Sequence, residues 1–226
     1  MALNILYEDN HLIAINKSSS DIVQTDKTGD YTVADEIKAY LKVKYNKPGE
    51  VFLGIVHRID RPVTGVVLFA RTSKALMRLN KMFAEHTIRK TYWAITNQRP
   101  PEIEEELHHY IRKDDEKNYS HLSVSPRTGY KEAVLSYKLI GSTQNLNLLE
   151  ITLKTGRHHQ IRAQLSRIGC PIRGDVKYGA KRSNEGGGIN LHARSIAFEH
   201  PVRHEPIVIV APVPSDPAWK AFGIED

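Results

Sequence analysis

The chain has 226 residues, of which 32 are Lys or Arg and 26 are Asp or Glu, so its net charge is +6 at pH 7. With 40% hydrophobic residues, it is too apolar for a disordered chain and too polar for a membrane bundle. No apolar run approaches the roughly 18–20 residues of a spanning helix, and the first residues lack the basic segment of a secretory signal. Cys170 is the single cysteine, which excludes an internal disulfide and a cysteine-clustered zinc site. The composition predicts a cytoplasmic globular protein with a preference for polyanions.

The first part of the chain predicts short strands alternating with helices. Residues 5–15 indicate two strands around an Asp-Asn turn, and the polar stretch 18–29 indicates a loop. Apolar residues recur at helical spacing over 33–45, which predicts a helix capped by Thr32. The continuous apolar run at 65–70 is typical of a strand covered on both faces. A second helix follows, capped by Thr72 or Ser73, and then a strand over 91–96.

The remaining part is richer in strands. Residues 102–117 are charge-dense, and their pattern leaves the secondary structure open. Residues 134–140 and 146–153 alternate as a hairpin. A third helix is predicted over 158–168, ended by Gly169, and is followed by a mobile glycine-rich loop at 177–190 and strands at 191–198 and 206–210. Strands outnumber helices, so we predict one α+β domain over residues 1–226, built on a mixed, largely antiparallel sheet with flanking helices.

Two segments combine charged residues with turn or aromatic residues in a pattern that a hydrophobic core does not require. In the first, Asp60 lies between Arg58 and Arg61 and precedes a proline. Opposite charge favours the ionised form of a carboxylate, which is then a ready nucleophile, although a loop ion pair explains the same spacing. In the second, Tyr92 follows Lys90 on a predicted strand. A tyrosine near cations suits base stacking, but an ordinary strand aromatic explains the same pattern.

A third segment, 154–162, places a glycine before a predicted helix start. Gly156 lets backbone N–H groups approach an anion, and Arg157 adds a positive charge there. His158 and Arg162 are expected to project from the first turn. Adjacent histidines point about 100° apart on a helix and cannot hold one ion together, and no HExxH spacing occurs. An anion-facing helix terminus is therefore favoured over a metal site.

Four stretches, covering nearly the whole chain, match the pattern of a known family. They are an opening hairpin at 6–17, a signature at 57–60 (HRID), 64–65 and 68–70, a strand at 90–94 (KTYWA), and a C-terminal signature at 156–162 (GRHHQIR), 169–172, 174–175 and 178–179. In these stretches the chain resembles the pseudouridine synthases of the RluA family. The resemblance implies the pseudouridine synthase fold. It also implies an isomerase that breaks the C1′–N1 bond of a uridine, rotates the uracil and rejoins it through C5, without a metal, nucleotide or redox cofactor.

The resemblance also implies a role for individual residues. Asp60 is expected to attack the target uridine, and Tyr92 to stack on or hydrogen-bond the base. Arg162 is expected to pair with Asp60 and keep it ionised. Arg58 would fill the space left when the uridine flips out of the RNA, which costs a few kcal/mol. The other expected substrate contacts are Arg61, Lys90, Arg157, His158 and, as an apolar wall, Leu191.

The implied partner is RNA, either tRNA or rRNA, bound by a monomer without membrane or metal. No segment resembling an S4 domain precedes the first predicted strand, so this domain is expected to find RNA alone. The chain departs from the family's usual residues at 18–20, at 63–64 and at His158. Two other functions stay open. One is a catalytically silent RNA-binding module of the same fold, and the other is a metal-dependent phosphoesterase that uses some of the 11 histidines.

Overall fold

The computed structural model describes residues 3–24 and 30–224, so the predicted loop at 18–29 lies partly outside the described residues. The chain divides into two compact units. The first is drawn from residues up to Arg89 and from Ala193–Pro212, and the second from Lys90–His192 and from Val213 onward. The single domain expected over 1–226 stays a prediction. No helix in the described part is both long and apolar enough to cross a membrane.

The helices and strands largely follow the sequence pattern. In chain order they are β1 (Ile5–Glu8), β2 (Leu12–Lys17), α1 (Val33–Lys44), β3 (Gly54–Ile55), β4 (Thr64–Ala70), α2 (Ser73–Ala84), β5 (Arg89–Thr96), β6 (Glu104–Asp114), β7 (Tyr119–Ser123), β8 (Lys131–Ser142), β9 (Asn147–Leu153), α3 (Gln160–Arg167), β10 (Leu191–Glu199), β11 (Pro206–Val210) and α4 (Pro217–Lys220).

In the first unit the strand order is β1-β2-β4-β10, with β3 beside β4 and β11 beside β10. Strand β4 is buried along nearly its whole length, as its uninterrupted apolar run predicts. Helix α1 begins at a capping box in which Thr32 and Asp35 satisfy each other's backbone N–H groups. Helix α2 buries Leu79 against β4, whereas Met82 and Phe83 are only partly covered.

In the second unit the strand order is β5-β9-β8-β6-β7, and each neighbouring pair is antiparallel. Together with the antiparallel pairs β1–β2, β2–β4 and β10–β11, this confirms the predicted α+β class with a largely antiparallel sheet. The charge-dense stretch left open by the sequence contains β6. In β6, Leu107, His109 and Ile111 are buried while the residues between them are more exposed. A histidine among the inward positions hides this alternation from a hydrophobicity pattern.

The predicted start of the third helix is wrong by two residues. Helix α3 begins at Gln160, because the preceding His159 adopts a left-handed conformation with φ 50°. His158 therefore lies in the turn before the helix and does not project from its first turn. Gly169, at φ 80°, follows the C-terminal end of the helix as predicted. The helix packs against β6 and β7, and Arg162 is one of its buried residues.

Candidate active site

The loop that carries Asp60 leads into β4 and is fastened by apolar residues. Ile59 and Val63 are buried, and the Asp60 carbonyl accepts a hydrogen bond from the Val63 N–H at 3.0 Å, which closes a tight turn. The side chains of Arg58 and Arg61 are exposed, and Asp60 is half-buried. The turn therefore presents a partly accessible carboxylate between two cations in solvent. The role of Asp60 as a nucleophile stays a prediction.

Both ends of this loop are fixed by close contacts inside the first unit. Gly65, at the start of β4, has φ +113°, and a Cβ added there would lie 2.3 Å from the carbonyl oxygen of Ala193. Only glycine fits this position without strain. At the other end, Nε2 of His57 accepts a hydrogen bond from the Leu68 N–H at 2.9 Å, and its ring stacks on Phe83. The path of the loop is thus set by backbone geometry and packing together.

Arg162 is buried in the second unit and held by a carboxylate to which the sequence assigned no role. Its Nε donates to Oδ2 of Asp175 at 2.7 Å, and its Nη2 donates to Oδ1 at 2.8 Å. Their side chains are 6% and 1% exposed, so the pair is almost fully removed from water. A bidentate pair fixes the plane of the guanidinium. The only sequence signal for Asp175 was its place in the C-terminal signature.

A second layer of side chains supports Arg162. Its guanidinium lies 4.9 Å from the centre of the Tyr178 ring. The Tyr178 hydroxyl accepts from the Ser120 N–H at 2.8 Å and lies 2.9 Å from Nδ1 of His159. Burial raises the pKa of Tyr178 to about 12. Burial, with the neighbouring charge of Arg162, lowers the pKa of His159 to about 2, so both side chains are neutral near pH 7.

His158 contacts two of these residues, His159 and Ser120, although it lies outside helix α3. Its ring stacks on His159 with the ring centres 3.7 Å apart. Its Nδ1 lies 2.9 Å from Oγ of Ser120, and its Nε2 lies 3.1 Å from Oδ1 of Asn118. The ring is therefore held in place on both sides while staying half-buried. Its expected contact with substrate stays a prediction.

Two of the predicted cations, Lys90 and Arg157, lie beside Gly156. A Cβ added to Gly156 would lie 3.5 Å from Nζ of Lys90, so the ammonium group sits directly beside this glycine. Burial lowers the pKa of Lys90. Arg157, the next residue, is anchored by a hydrogen bond from its Nε to the Glu132 carbonyl at 2.8 Å. A bare backbone flanked by two cations suits contact with a phosphate.

Tyr92 and Leu191 are also buried, like Arg162. Tyr92 lies on β5, opposite Ile151 of β9, and is 8% exposed. Leu191, the first residue of β10, is 3% exposed, and its role as an apolar wall of the site stays a prediction. In the described segments 3–24 and 30–224, no group of three or more His, Cys, Asp or Glu side chains is arranged to hold a metal ion.

The family is established by comparison with known proteins. Residues 11–167, more than half of the chain, match the family model described as RNA pseudouridylate synthase. The chain is 34% identical to an uncharacterized RNA pseudouridine synthase of Synechocystis, over 94% of this chain and 66% of that protein. It is 32% identical to the ribosomal large subunit pseudouridine synthase C of Buchnera aphidicola, over 92% of this chain and 66% of the relative. The chain thus belongs to the RNA pseudouridylate synthase family, whose members are isomerases that act on RNA.

A solved structure agrees with this assignment. The human RNA pseudouridylate synthase domain containing 4 superposes with a TM-score of 0.78 and 25% sequence identity, over 94% of this chain and 89% of that one. The resemblance to RluA-type enzymes is therefore confirmed at the level of the family. The chain spans about two thirds of the length of the first curated relatives.

Proposed function

We propose that this protein is an RNA pseudouridine synthase that isomerises specific uridines with Asp60 as its nucleophile. The observation that carries the proposal is the turn before β4, which presents the half-buried carboxylate of Asp60 between Arg58 and Arg61. This turn lies inside the stretch that matches the family model. A covalent carboxylate nucleophile needs to be reachable by the target nucleotide, and a half-buried carboxylate in a surface turn meets that requirement.

The other predicted residues take complementary roles in this proposal. Tyr92 provides the aromatic contact for the flipped base, and Leu191 an apolar surface near it. By the family resemblance, Arg162 is assigned the role of charge partner of Asp60 during the reaction, and Arg58 the role of filling the space that the uridine leaves. Four side chains contact the RNA backbone: Arg61, Lys90, Arg157 and His158. The Lys90–Gly156 contact supports this assignment, because it places an ammonium group next to accessible backbone.

The nucleophile is tested by Asp60→Ala. We expect the variant to lose pseudouridine formation in RNA, while its thermal unfolding and its affinity for RNA stay close to those of the unmodified protein. Glu50→Ala, which removes an exposed carboxylate elsewhere in the first unit, is the matched control and should retain activity. Product is measured as pseudouridine in the digested RNA. An active Asp60→Ala variant contradicts the proposal, and an unmodified protein that binds RNA without forming product supports the silent RNA-binding module instead.

The RNA substrate is proposed to be ribosomal RNA or tRNA, modified in the cytoplasm by a monomer. The name of the Buchnera relative, a ribosomal large subunit enzyme, favours ribosomal RNA. Mapping pseudouridines in ribosomal RNA and tRNA from cells with and without the gene distinguishes the two. The uridines that lose modification in the deletion, and regain it with the unmodified protein but not with Asp60→Ala, are the targets.

A further inference from the structure

Lys17, the last residue of β2, is a buried lysine bonded to the loop that carries Asp60. It is 1% exposed, and its Nζ donates to the carbonyl oxygens of Ser18 at 2.7 Å, Asp21 at 3.0 Å and Arg61 at 3.0 Å. Burying an ammonium group is costly unless its donors are satisfied. The three carbonyl contacts satisfy the three N–H donors of this ammonium and tie it to the residue next to Asp60.

The segment 18–21 is folded into a turn around this ammonium group. The Asp21 N–H donates to the Ser18 carbonyl at 3.3 Å, and the Ser18 N–H donates to the Asp21 carboxylate at 3.0 Å. The turn is also linked to the Asp60 loop in the reverse direction, since Nε of Arg61 donates to the Ser20 carbonyl at 3.3 Å. Two segments distant in sequence are therefore bonded to each other through Lys17 and Arg61.

We propose that Lys17 is a positioning residue for Asp60: its ammonium group holds the Asp60 loop against the 18–21 turn and places a positive charge near the Asp60 side chain. The proposal rests on the proposed role of Asp60 as nucleophile. Lys17 touches neither the substrate nor the reacting atoms in this account. It acts by fixing the backbone beside Asp60, where a displacement of 1 Å can cost about 100-fold in rate.

Burial disfavours the charged form of Lys17, and nearby carboxylates partly offset this effect. Burial lowers the pKa of Lys17 to about 8, while the charges of Asp21 and Asp60 raise it and that of Arg61 lowers it. Lys17 is thus protonated at pH 7 and loses its proton as the pH rises through about 8. Its pKa in the unfolded chain is near 10.5, so the unfolded state binds more protons between pH 8 and 10.5. This group's contribution to stability therefore increases with pH over that window, while the proposed positioning of Asp60 is lost.

The first test compares Lys17→Gln with the unmodified protein over pH 6–9.5. At pH 7 we expect kcat of the variant to fall by about 100-fold, with KM for RNA little changed. In the unmodified protein, kcat should decrease above about pH 8 with the protonated fraction of Lys17, and this decrease should be absent from Lys17→Gln. Lys74→Gln, at an exposed lysine of α2, is the control and should keep the unmodified profile. A Lys17→Gln variant with unmodified kcat at pH 7, or with the same alkaline decrease, overturns the inference.

The second test needs no activity and no variant at Lys17. The ammonium group is titrated by NMR in the full-length protein, in Asp60→Asn and in Asp35→Asn, which alters only the cap of α1. Removing the charge of Asp60 should lower the pKa of Lys17, and Asp35→Asn should leave it unchanged. If Asp60→Asn is inactive but does not shift this pKa, the inference fails while the proposed function stands. If Asp60→Asn shifts the pKa but forms product, the proposed function fails instead.

Discussion

Arg162 and Asp175 form a buried ion pair whose geometry matters more than its net energy. Replacing such a pair by apolar residues is often neutral, whereas removing one partner leaves a poorly compensated buried charge. The bidentate contact also fixes the guanidinium plane, so Asp175 determines in which direction the remaining N–H groups of Arg162 point. Any role of Arg162 in the reaction therefore depends on a second carboxylate.

We predict that Asp175→Asn lowers the free energy of unfolding by about 3–5 kcal/mol, because the guanidinium of Arg162 stays buried and loses the bidentate carboxylate of Asp175. Urea unfolding at pH 7 measures this change. Asp115→Asn is the matched control, since Asp115 pairs with Lys113 in solvent with its side chain 82% exposed, and it should leave stability nearly unchanged. Equal stabilities of the two variants would contradict the importance assigned to Asp175.

The neighbours of Arg162 also show which residues sequence reasoning can find. Asp60, Tyr92 and Arg162 lie in local motifs that resemble those of the family, so the sequence offers them as candidates, and their roles stay predictions. Asp175 and Tyr178 lie in the same C-terminal signature, but their roles depend on side chains that meet only after folding. The pairing that buries Asp175 cannot be derived from spacing, because the residues between 168 and 175 are irregular.

Strand β4 connects the Asp60 loop to the rest of the first unit, and its first residues set the position of that loop. The strand itself was predictable, since a continuous apolar run needs only local information. The constraint at its start was not, because the carbonyl that excludes a side chain at Gly65 belongs to Ala193, far away in the sequence. Similarly, the start of α3 was misplaced because the conformation of His159 is supported by Tyr178 and not by local propensity.

We predict that Gly65→Ala destabilises the protein by more than about 2 kcal/mol, because alanine disfavours φ +113° and its Cβ would overlap the Ala193 backbone. Thermal and urea unfolding measure the loss. Gly49→Ala is the control, since a Cβ added there meets nothing within 4 Å and Gly49 has no positive φ. The Gly49→Ala variant should therefore be as stable as the unmodified protein or slightly more stable. If Gly65→Ala unfolds like Gly49→Ala, the close approach does not constrain the loop.

The whole molecule carries a net charge of +6, but its cations are not equivalent. Arg162 is paired with Asp175 and buried, so it adds almost nothing to the field outside the protein. Arg58 and Arg61 are exposed beside Asp60, and Lys90 and Arg157 flank Gly156. A polyanion is therefore expected to be attracted by particular groups of side chains, and the net charge alone does not measure that attraction.

This distinction predicts how RNA affinity depends on salt. The logarithm of the association constant should fall linearly with the logarithm of salt concentration, and each lost phosphate contact should make that slope shallower by about 0.7. We expect this reduction for Arg61→Gln and for Arg157→Gln. It is measured by fluorescence anisotropy with single-stranded RNA between about 50 and 200 mM salt, a range over which such slopes can be separated. Lys42→Gln, which removes an exposed cation from α1, lowers the net charge equally and should keep the unmodified slope. Equal slopes for all three variants would mean that RNA responds to net charge alone, and that the cations near Asp60 and Gly156 do not contact phosphates.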